Sequence, residues 1–94
     1  MSYYDVASLT EALATILFAR YLANAVDCEM DITAQMQKIV HDIKYYHSDV
    51  PKGVFLDVLR RDIEKLETVF MDVYMETADI LCMVAEVDTI YEGV

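Results

Sequence analysis

Residues 54–91 read VFLDVLRRDIEKLETVFMDVYMETADILCMVAEVDTIY, and their spacing decides the fold class. Leu56, Leu59, Ile63, Leu66, Phe70, Val73, Thr77, Ile80, Val84, Val87 and Tyr91 follow one another at alternating intervals of three and four. Of these positions only Thr77 is not apolar. A stripe of that period lies along one side of a helix, and its mean spacing is that of a coiled-coil seam. It predicts one long helix over 54–91, with Gly93 as a fitting stop.

Working outward, the segment 48–53 holds the only proline, Pro51, and one of the two glycines, Gly53, and reads as a turn. Before it, Ala14, Phe18, Tyr21, Ala25, Cys28, Ile32, Met36, Ile39, Ile43 and Tyr46 continue a helical stripe with a single stutter. Ser8-Leu9-Thr10-Glu11 fits a capping box, and Ser2 to Asp5 is a looser one. The helical region 3–47 is therefore one long helix, or two with a kink near 27–33, where Asp31 or Thr33 could cap a new start. Three Gly and Pro residues in 94, against an average of about 12%, are too few for the turns of a sandwich, barrel or Rossmann unit. The expected fold is a single all-α domain, a long antiparallel helical hairpin.

In such a hairpin Ala12–Val26 faces roughly Tyr74–Asp88, and both stretches are apolar around most of their circumference. One partner helix covers only one stripe of each, so more helices must pack there. A second copy is the simplest source. It predicts a homodimeric four-helix bundle, with Leu13, Leu17, Phe70, Val73, Ile80 and Val84 in the dimer core.

Seventeen acids against seven Lys and Arg give a net charge of −10. That balance argues against direct nucleic-acid binding, which draws its affinity from basic residues, and against an anionic membrane surface. The apolar window Ala12–Val26 contains Arg20 and is shorter than the roughly 20 residues a membrane span requires. Cys28 and Cys82 have no metal-binding or redox spacing and read as buried free thiols, the methionines as core filler. A soluble, cytoplasmic protein with no cofactor and no metal is expected. The charge is uneven: residues 31–68 carry seven acids and six bases, whereas the two ends carry ten acids and only Arg20.

Asp72, Glu76, Asp79 and Glu86 fall on one face of the predicted helix and form an acidic interaction face, with Arg20 close to Glu76 and Asp79 across the hairpin. Near the turn, Tyr45, Tyr46, His47, Phe55, Arg60 and Arg61 have the composition of a protein-binding hot spot. His41 and His47 are six apart, so they do not share a helix face as a metal pair would. The segment Glu76-Thr-Ala-Asp79-Ile-Leu resembles the ExxD helix of the MazG-like all-α nucleotide pyrophosphohydrolases. The resemblance implies Mg²⁺ held at Glu76 and Asp79 against a diphosphate. The companion ExxE spacing occurs in Glu64-Lys-Leu-Glu67, on the same predicted helix and too close to bend back. In type, though in no motif, a small acidic helical protein is similar to phage-encoded inhibitors, DNA mimics and bacteriocin-immunity proteins. The secreted WXG-type hairpins are similar in length, but this turn reads Val50-Pro51-Lys52-Gly53 instead of Trp-x-Gly. The expected function is non-catalytic: binding a protein partner, one with a basic nucleic-acid-binding surface, and modulating or inhibiting it. The alternatives are the Mg²⁺-dependent enzyme and a secretion adaptor.

Overall fold

The computed structural model describes residues 5–94, and these form four α-helices with no strand among them. They are α1 (Val6–Ala25), α2 (Thr33–Tyr46), α3 (Lys52–Val69) and α4 (Thr77–Gly93). The all-helical class read from the sequence holds; the region before the turn takes the two-helix alternative, broken near 27–33, and the single helix expected over 54–91 is corrected to two. Of the two proposed helix starts, the Ser2–Asp5 one ends on Asp5, which caps α1 by accepting from the Ser8 N–H at 2.8 Å. Ser2 itself, and the start of the helical region at residue 3, lie outside the described residues.

The first break spans residues 26–32 and is made without glycine or proline. The Cys28 N–H donates to the Ala23 carbonyl at 2.9 Å and the Asp27 N–H to Asn24 at 3.2 Å, with Asp27 at φ 55°. This is a Schellman stop, in which a left-handed residue usually filled by glycine closes the helix. Aspartate is among the few other residues that enter that region at tolerable cost. Asp31 then accepts from the Thr33 N–H at 3.1 Å as α2 begins.

The second break, 70–76, interrupts the expected helix 54–91. Glu76 adopts an extended conformation and the Asp79 carboxylate accepts from its N–H at 3.2 Å, a capping box that starts α4. The carbonyl of Tyr74, released from helical pairing, accepts from the Tyr21 hydroxyl of α1 at 3.0 Å. The apolar rhythm runs through the break because Val73 stays half-buried and Met75 is buried. The stripe records what points inward, not whether the backbone is helical. The third connection lies where expected, around Pro51, with the Val50 N–H donating to the His47 carbonyl at 3.0 Å.

Contacts fix how the helices run. Phe18 meets Phe70 with ring centroids 5.5 Å apart, and Glu11, Ala14 and Thr15 share a groove with Asp62, Lys65 and Leu66, so α1 runs parallel to α3. Phe55 at the start of α3 meets Tyr91 at the end of α4 at 6.1 Å, so these two are antiparallel. Lys44 at the end of α2 donates to the carbonyls of Tyr91 and Val94, at 2.8 and 2.7 Å. The main packing is α1 on α3, α3 on α4, α4 on α2 and α2 on α1.

Leu13, Leu17, Val40, Phe55, Leu59, Ile63 and Val87 are fully buried where the four helices meet. Burying each such side chain contributes about 1.5–3 kcal/mol. Thr10 is the polar member of this core, and its hydroxyl is satisfied by donating to the Val6 carbonyl at 2.6 Å. With its full 20 residues and a mean hydropathy of 1.3, α1 is long and apolar enough to cross a membrane by length and composition, unlike the shorter window read from the sequence. In this fold its Leu9, Leu13, Leu17 and Phe18 supply the core.

Candidate interaction surface

The four helices give the molecule two ends of different chemistry. One end gathers residues 47–51, the start of α1 and the end of α4. There Lys52 pairs with Asp88 at 3.0 Å and with Glu92, and the hydrogen bond to Glu92 is the main cause holding its ammonium above the usual lysine range. Lys44 satisfies the last carbonyls of α4 and lies 5.0 Å from the Tyr91 ring centroid. The backbone N–H of Ser8 holds the Asp5 carboxyl below the usual carboxylate range, and His47 lies close enough to add to this.

The other end holds the two breaks: Phe18 and Tyr21 of α1 meet Phe70 and Tyr74, so the break 70–76 lies along the last two turns of α1, and the break 26–32 follows at the end of that helix. Residues 20–33 and 67–80 contain seven acids, Asp27, Glu29, Asp31, Glu67, Asp72, Glu76 and Asp79, and one base, Arg20. That base is engaged: its guanidinium forms a two-pronged pair with Glu86 of α4, and this hydrogen bonding raises its already high pKa. Amid these acids apolar side chains stand in solvent. Val69 is 72% exposed, Phe70 50%, Met71 88% and Tyr74 79%, and on the neighbouring break Val26 is 75% exposed. Contiguous apolar surface rimmed by polar groups is uncommon on a monomer and marks interaction sites.

A groove of about 250 Å³ between α1 and α3 runs up to this end and is lined by Glu11, Ala14, Asp62, Lys65, Leu66 and Val69. Burial, and then the nearby Glu11 charge, push the Asp62 carboxyl above the usual range, and its Oδ2 atom has no hydrogen-bond partner.

The residues singled out from the sequence are dispersed. Asp72 lies on the second break, Glu76 precedes α4, Asp79 caps it and Glu86 holds Arg20, which pairs there instead of with Glu76 or Asp79. The break does place Glu64 and Glu67 on a helix antiparallel to that of Asp79, which a single long helix would forbid. Glu64, however, accepts from Arg60 at 2.7 Å, and no group of three or more metal-ligating side chains is assembled among the described residues.

At the turn end Tyr45 and Tyr46 are exposed, with His41 stacked 4.5 Å from Tyr45, whereas Phe55 is fully buried. Arg60 and Arg61 both pair with Asp57, and the Arg60 hydrogen bond is the main cause lowering the Asp57 pKa. His47 caps α2, its N–H donating to the Ile43 carbonyl at 3.1 Å. Of the expected dimer core, Leu13, Leu17 and Ile80 are buried in the chain's own interior, Val73 and Val84 are half-buried against it, and Phe70 is half-exposed. Cys28 and Cys82 are exposed, correcting their assignment to the core.

The open end was not singled out as a site in the sequence, although it carries a signal there. Val69-Phe70-Met71 places three apolar residues in a row where a helical stripe needs one. No protein-family model matches the chain, and neither does any curated protein or solved structure.

Proposed function

We propose that this is a small acidic, non-catalytic interaction protein that binds a protein partner through a basic surface and modulates or blocks that surface. The observation that carries the proposal is the open end, where exposed apolar side chains stand among seven acids whose one neighbouring base is already paired. Complementary charge speeds encounter and selects partners, and apolar contact at the centre holds the complex. A nucleic-acid-binding cleft is a partner surface of this chemistry. Affinity capture from the cells that produce the protein, followed by assay of the captured partner's nucleic-acid binding with and without this chain, tests the proposal. Capture at low salt, release at about 0.5 M NaCl and loss of nucleic-acid binding are expected. A partner captured with no salt dependence contradicts it.

A homodimer is a second reading, favoured by Phe70, which lies half-exposed against Phe18. Sedimentation at micromolar concentration separates dimer from monomer. The Mg²⁺-dependent alternative is favoured by the antiparallel placement of Glu67 and Asp79 on α3 and α4. It requires Mg²⁺ to raise thermal stability more than NaCl of equal ionic strength, and Glu76→Gln and Asp79→Asn to abolish that gain.

A further inference from the structure

We infer that the docking face is the end formed by residues 26–32 and 69–76, and that its occupant is a basic amphipathic helix of the partner. This rests on the interaction reading above and adds the place and the shape of what binds.

Within the second break, Met71 is 88% exposed while Met75, four residues on, is 3% exposed, so the loop buries one methionine and presents the other. The backbone carbonyl of Tyr74 ties the loop to α1 through the Tyr21 hydroxyl, while the Tyr74 side chain is 79% exposed. An ordered loop that displays Val69, Phe70, Met71 and Tyr74 is a preformed apolar platform, and a pliant methionine suits a surface that accepts helices.

The charge around the platform selects the occupant. Asp27, Glu29, Asp31 and Asp72 have no base within six residues in sequence, and Arg20, which precedes the first break, is bound to Glu86. A second copy seated here would bring seven acids against seven, and an anionic lipid surface would be repelled in the same way. A segment with Lys or Arg flanking an apolar stripe satisfies both features together. With no strand among the described residues there is no sheet edge for an extended peptide to join, and an amphipathic helix is an element that presents an apolar stripe and flanking cations together.

The α1–α3 groove extends the same surface. Val69 belongs to both, and the apolar walls Ala14 and Leu66 lead to the acids Glu11 and Asp62, with Lys65 the one base beside them.

The probe is a fluorescent Leu/Lys peptide with leucines at i, i+3, i+4 and i+7, compared with a scrambled peptide of equal charge. Met71→Ser/Tyr74→Ser changes two exposed side chains, so the fold is retained, and Tyr45→Ser/Tyr46→Ser is the matched change at the opposite end. Binding of the patterned peptide over the scrambled one is expected. So are an affinity loss of about tenfold or more in Met71→Ser/Tyr74→Ser, little change in Tyr45→Ser/Tyr46→Ser, and a flatter salt dependence in Glu29→Gln/Asp72→Asn. Equal loss of binding at the tyrosine pair, or none at Met71 and Tyr74, overturns the location while leaving the interaction reading standing. Self-association or uptake by phosphatidylserine vesicles that Met71→Ser/Tyr74→Ser abolishes overturns the occupant. Failure of every basic peptide to bind in a salt-dependent way overturns both.

Discussion

At the end of the bundle that holds residues 47–51, Lys44 closes the last carbonyls of α4 and Lys52 draws in Asp88 and Glu92. At the opposite end the same kinds of residue are left uncombined. Acids stand without bases, and apolar side chains that could have completed a core point outward. Both ends close a connection between helices and both are built on the same buried core. The first end therefore shows what this chain does with charge when only folding is at stake, although Tyr45, Tyr46 and Val54 stand exposed there as well. The second departs from that pattern, and its departures are of two kinds that one partner chemistry answers.

The contrast is sharpest in stability. Phe55 is fully buried near the paired end, and Phe55→Ala should cost about 3–5 kcal/mol in chemical denaturation. A domain of 94 residues has only about 5–14 kcal/mol in all. Met71→Ser, a larger change in polarity at the open end, should stay within about 0.5 kcal/mol. A comparable loss at Met71 would mean that the open end serves folding after all.

Arg20→Gln removes the pair that ties α1 to α4 and should cost about 1 kcal/mol, more at low salt than at high. Asp27→Gly should stabilise by about 0.5–1 kcal/mol. It relieves the left-handed backbone and removes a negative charge from the C-terminus of α1. A native residue that lowers stability at a loop tip is one the fold alone would not choose.

Asp62→Asn should give a smaller gain that depends on pH. The folded-state pKa of Asp62 is raised, so the ionised carboxylate opposes folding at neutral pH and the cost disappears below the ordinary aspartate pKa. The melting temperature of Asp62→Asn should therefore exceed that of the parent at pH 7 and converge with it as the pH falls below the ordinary aspartate range. A difference that persists in acid would trace the gain to packing instead.

The helical class, the turn around Pro51 and most of the buried stripe were legible in the sequence. The break at 26–32 was legible only as an alternative, through Asp31 and Thr33 as a possible new start, and the break at 70–76 was not legible at all, for a specific reason. Glycine and proline are the usual signals, and here Asp27 takes the left-handed position while Glu76 and Asp79 close a capping box between two acids. The Glu76-x-x-Asp79 spacing is visible in the sequence as part of an acidic face, and the structure adds that the pair forms the capping box that starts α4. Thr77, the one polar member of the apolar stripe, is the first residue of α4 and in retrospect marks the boundary. The homodimer was argued from apolar surface left over by two long helices, and the two breaks let one chain bury much of it alone. The uneven charge was legible throughout, but its significance depended on learning that Met71 and Tyr74 stand exposed beside it.

Backbone amide shifts, followed residue by residue as the Leu/Lys peptide is added to the unmodified chain, test the central claim most directly. The shifts should concentrate in residues 26–32 and 69–76 and along the α1–α3 groove, and fade as salt is raised. Shifts centred on Tyr45, Tyr46 and His47, or spread evenly over the acidic surface, would contradict it.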